Sequence, residues 1–85
     1  MPKLSEFYGI RITMYAKEHG VPHFHASYAG EQVVVSIATL AVISGSIRAR
    51  GLAMVIEWAA LHREELLEAW STLRRGGEPR AIAPL

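Results

Sequence analysis

Val21-Pro22-His23-Phe24-His25-Ala26 is the stretch that sets the architecture. In an extended chain successive side chains point to opposite faces, so Phe24 and Ala26 share one side and His23 and His25 the other. Proline brings no ladder donor and is tolerated at a strand's first residue, so a strand is expected to open at about Pro22. Upstream, Phe7 to Ala16 alternates in the same way. Ile10, Ile12 and Met14 fall on one face, and Arg11, Thr13 and Tyr15 on the other. Lys17-Glu18-His19-Gly20 is the polar turn between these two runs. Downstream, Ala29-Gly30-Glu31 reads as a short hairpin connection, and Gln32 to Ile37 puts Val33, Val35 and Ile37 on one face. Matching the apolar faces gives an antiparallel meander with one buried side. The other side collects Arg11, Thr13, Tyr15, His23, His25, Ser27, Gln32 and Ser36, and a one-residue slip in any strand would reverse its share.

Ala41-Val42-Ile43 is ambiguous and makes the sheet three- or four-stranded. Ser44-Gly45-Ser46 reads as a loop whose Ser46 is placed to cap a helix. Beyond Ile47 the period becomes helical: Leu52, Val55, Ile56 and Ala59 form one stripe, and Leu66, Leu67, Trp70 and Leu73 another. Arg63 would interrupt a single joint stripe, so a kink or short break is expected from His62 to Glu64. Arg74-Arg75-Gly76-Gly77 is a stop signal, with cations in the last turn and then glycine. Met54, Trp58 and Leu61 make a second stripe on the first helix, to meet the second helix, a partner protein or a second copy of the chain. Trp58 and Trp70, among leucines, read first as core, with a partner anchor as the alternative for Trp58. The expected fold is one α+β unit over residues 1–85. Its sheet runs over about 7–43 and is covered on one face by a helix pair over about 47–75, followed by an extended tail over 78–85.

The 85-residue chain is 51% hydrophobic and 20% charged, the composition of a small folded domain. It has no cysteine, which excludes a disulfide framework and thiolate metal ligands. Nine basic against eight acidic residues give a net charge of +1, without the basic excess on which nucleic-acid binders depend. The opening residues lack the apolar segment of a secretory signal, and no apolar run nears the ~20 residues that span a bilayer. A soluble cytoplasmic protein with no membrane partner is the expectation.

Pro22-His23-Phe24-His25-Ala26, with Glu57-Trp58-Ala59, Leu61-His62 and Glu65-Leu66-Leu67, resembles a family of small bacterial proteins of unknown function marked by a "PHFHA" motif. Phe7-Tyr8-Gly9-Ile10 and Ile82-Ala83-Pro84-Leu85 extend the likeness over nearly the whole chain. The one departure is Val21, where many relatives carry a second proline. The resemblance implies a gene pair of the toxin–antitoxin kind, and so a cognate small protein as partner. It brings no established reaction.

Three readings of His23 and His25 stay open. They are structural imidazoles on a half-exposed face, or an acid–base pair, or two ligands of a metal. Histidine titrates near neutrality, so one ring accepts a proton while another donates one. Cleaving an RNA backbone without a metal or other cofactor needs such a pair and a cation for the developing charge. Arg11 is the nearby cation and Tyr15 a positioning group, which would make the chain a toxin-like ribonuclease. The alternative to that enzyme is a non-catalytic antitoxin or regulator. As ligands, two imidazoles would bind zinc or another transition metal, with His19, His62, Glu18 or Glu31 completing the set. His62 near the end of the first helix has a structural explanation, because the dipole there favours a cation. Arg48 and Arg50 at a helix start oppose the dipole and read as a solvated face, with contact to a phosphate as the alternative.

Overall fold

The computed structural model describes residues 3–85, so Met1 and Pro2 of the expected 1–85 unit lie outside the described residues. Strands β1 (Lys3–Phe7), β2 (Ile10–Thr13), β3 (His23–Tyr28), β4 (Glu31–Ser36) and β5 (Val42–Ser46) precede helices α1 (Ala49–Leu61) and α2 (Arg63–Arg74). The strands lie in sequence order, each antiparallel to the next. The α+β class and the meander stand. The sheet has five strands rather than three or four.

The first extra strand comes from a fold-back inside the run that begins at Phe7. Tyr8 and Gly9 turn at φ of 49° and 81°, as Ala29 and Gly30 do at 53° and 81°, the conformations of the tight turns that suit twisted hairpins. Phe7 therefore pairs with Ile10, and Ser5 with Ile12. A register shift between Lys3 and Ser5 breaks the alternation, so Leu4, Ser5 and Phe7 are all buried.

The other extension is β5, which includes Ser44-Gly45-Ser46 instead of ending before them. Gly45 holds φ of 74°, and a side chain there would collide with the carbonyl oxygen of Gln32. Glycine thus lets the edge strand close onto β4. Ser46 consequently does not cap the helix. The Glu31 carboxylate does so from the start of β4, accepting from the Arg48 backbone N–H at 2.9 Å and from Arg48 Nε at 3.3 Å. This anion also offsets the cost of basic residues at that helix end.

The expected break falls at His62, whose backbone leaves the helical region between α1 and α2. Val55 and Ala59 of the expected α1 stripe are buried, joined by Gly51 and Trp58, while Leu52 and Ile56 are half-buried against the core. Trp58 is fully buried, 5.5 Å from Phe7 and 6.0 Å from Phe24 between ring centroids. Its indole N–H donates to the Ala83 carbonyl at 2.8 Å, and Ile82 N–H donates to the Leu4 carbonyl at 2.7 Å. The extended tail therefore covers Trp58. Met54, Trp58 and Leu61 do not form one exposed stripe: Met54 is half-buried against the core, and only Leu61 is exposed. Among the described residues, no helix is long and apolar enough to cross a membrane.

Gly51 sits on the buried face of α1, where an added Cβ would press into the Tyr28 ring. Alanine is ordinarily worth about 1 kcal/mol over glycine inside a helix. Here overpacking, of about 1–3 kcal/mol, outweighs that gain. Gly51→Ala is expected to lower the denaturant midpoint, and an unchanged or raised midpoint would refute this packing.

Candidate metal centre

Register carries the histidines to the expected face. His25 lies opposite Thr13 on one side and Val34 on the other, His23 opposite Ser36, and Ser27 between Arg11 and Gln32. Ile37 N–H donates to the Pro22 carbonyl, which continues the β3–β4 pairing past His23. The loop from Met14 to Pro22 then folds over this end of the strand and brings Glu18 to both rings. One carboxylate oxygen, Oε1, lies 3.1 Å from His23 Nε2 and 2.6 Å from His25 Nε2. His23 is buried, with 8% exposure, while His25 and Glu18 are half-buried. Tyr15 meets His25 edge-on, with ring centroids 4.7 Å apart.

The hydrogen-bond partners of the two rings constrain where the protons lie. The Val21 carbonyl lies 2.8 Å from His23 Nδ1 and can only accept, so Nδ1 carries a hydrogen. In neutral His23, Nε2 then presents a lone pair to a carboxylate oxygen that also has only lone pairs to offer. Burial pushes the Glu18 carboxyl up, but hydrogen bonds from His25 and His23 outweigh it and hold the group below its ordinary range. Glu18 is therefore ionised. Neutral His25 can donate its Nε2–H to Oε1 of Glu18, but the contact with His23 needs either a second proton on that ring or a cation between the groups. Ligand atoms of Glu18, His23 and His25 all lie within 4.8 Å of one another, close enough for one metal ion to be held by all three.

The remaining candidates separate from this centre. Arg11 is on the same sheet face but reaches toward Glu6, 3.8 Å away, and shares with Tyr15 and His25 a shallow cleft of about 150 Å³. His62 bonds to Glu65 at the start of α2, and Glu31 caps α1, so neither joins the cluster. His19 is exposed and lines the groove beside it.

The sequence profile of a domain of unknown function, DUF4160, matches residues 9–71, which include the whole cluster. The chain belongs to this family. Neither the curated proteins nor the solved structures give a significant match. The DUF4160 match ends before Arg74, the residue that holds the Glu18 loop in place.

Arg74 is the last-turn cation the sequence indicated, and its side chain also donates to the backbone carbonyls of Tyr15 (3.0 Å), Ala16 (2.6 Å) and Glu18. Its guanidinium lies 4.2 Å above the Trp70 ring, and Trp70 packs against His23 at 5.0 Å. A planar fork with five donors suits three carbonyls that converge on two of its nitrogens. Arg74→Ala should cost on the order of 1–2 kcal/mol after discounting for its exposure. It should also speed amide exchange over residues 15–20, whereas Arg75→Ala leaves both unchanged. Unaltered exchange in the Arg74 variant would show that this tie does not hold the loop.

Proposed function

We propose that this DUF4160 domain binds one divalent transition-metal ion through Nε2 of His23, Nε2 of His25 and the carboxylate of Glu18. The observation that carries the proposal is the direction of the two imidazoles. Both turn Nε2 toward one carboxylate oxygen, and the Nδ1–H of His23 is spent on the Val21 carbonyl. A backbone acceptor on the far nitrogen is how protein metal sites fix the tautomer and aim the lone pair. Two imidazoles and a carboxylate suit zinc, iron(II) or nickel.

Three protein ligands leave coordination positions open, as in reactive rather than structural centres. A bound ion would supply Lewis acidity to an oxygen ligand or to water. The chain's own residues do the positioning. Val21 orients His23, Tyr15 braces His25, and Arg74 fixes the loop that carries Glu18. The likeness to two-gene modules supports setting this centre in one half of a toxin–antitoxin-like pair, with a small protein as its partner.

A metal-free ribonuclease is the second reading, favoured by the cleft that Arg11, Tyr15 and His25 border. It fits less well. An acid–base pair must flank the scissile phosphate, yet both Nε2 atoms face an ionised carboxylate that repels phosphate.

Equilibrium dialysis against zinc with elemental analysis should give one ion per chain. Glu18→Ala and His25→Ala should each weaken binding by more than about 100-fold, beyond what loss of an outer-shell partner costs, while His62→Ala leaves it intact. Retained affinity in both cluster variants would refute the centre. RNA cleavage by the metal-free protein that His25→Ala abolishes would establish the second reading instead.

A further inference from the structure

Beside the cluster lies a groove of about 430 Å³, a size that takes a small organic ligand. Glu18, His23 and His25 line it together with Val21, Val34 and Ile43. Val21 is 59% and Ile43 48% exposed, apolar surface that folding leaves uncovered next to a charged centre. No lysine or arginine lines the groove, and its one additional titratable group is His19. Charge then selects the ligand. Two neutral imidazoles, one carboxylate and a divalent ion leave a net charge of +1, which a monoanionic head neutralises. A phosphoryl dianion would leave excess negative charge against valine and isoleucine with no cation to meet it.

We infer that this groove takes a small monocarboxylate, its head on the open metal positions and its alkyl body along Val21, Val34 and Ile43. The inference rests on the metal reading above and adds the class of ligand. Apolar contact makes affinity grow with chain length. Covering even two methylenes is worth roughly tenfold, so octanoate binds at least about tenfold more tightly than acetate.

The test loads the full chain with cobalt(II) and follows its visible absorption during titration with acetate, octanoate or inorganic phosphate. Octanoate should perturb the cobalt bands at the lowest concentration. Ile43→Ser and, independently, Val21→Ser should move its affinity toward that of acetate. Equal affinities for acetate and octanoate, or tighter binding of phosphate, would overturn the monocarboxylate assignment while leaving the metal centre standing. A wild-type chain that takes up no cobalt would overturn both.

Discussion

One oxygen atom of Glu18 faces two imidazoles, and the arrangement of this end of the molecule follows from that contact. With the Nδ1–H of His23 spent on the Val21 carbonyl, an ionised Glu18 meets both Nε2 atoms only if His23 takes a second proton or a metal ion lies between them. The strand puts the rings side by side, because alternate residues of β3 share a face. The loop puts the carboxylate over them, because Arg74 gathers its backbone carbonyls. Sheet geometry alone would leave two histidines on an open surface. Tertiary contact turns them into a centre.

The two helices serve this centre unequally. Trp58 of α1 is a packing element, locked between Phe7, Phe24 and the returning tail. Trp70 of α2 bridges packing and chemistry, with His23 against one part of the ring and the Arg74 guanidinium over it. The break at His62 gives α2 a direction of its own, and Arg74 in its last turn reaches the loop after β2. A change in the angle between the helices would reach Glu18 through that tie.

Much of this was legible in the sequence. Phe24 and Ala26 against Val33 and Val35, with Ile10 and Ile12, fix the register of three strands, because a slip would expose every one of them. That register places Arg11, Thr13, His25 and Ser27 on one face as expected. The edges were not legible. In β1 a register shift buries Ser5 beside Leu4, and in β5 every residue is exposed, so neither strand alternates. That Trp58 belongs to the core was legible from its helical spacing, but not what covers it, because the tail lies 25 residues away. Glu18 was one of several possible third ligands, and Arg74 one cation in a helix end. Local pattern says nothing about a contact spanning 56 residues. The core of the fold was therefore readable from periodicity, and the pair of histidines from their spacing, while the groups that complete the site are products of folding.

Long-range proton–nitrogen NMR spectra of the histidine rings during zinc titration address the centre most directly. The expected result is that Nε2 of His23 and His25 shift together and saturate at one equivalent, with Nδ1 of His23 protonated throughout and His19 and His62 unmoved. Unchanged His23 and His25 resonances at saturating zinc, or a response confined to His19 or His62, would contradict the metal centre and leave the cluster as a proton-bridged structural contact.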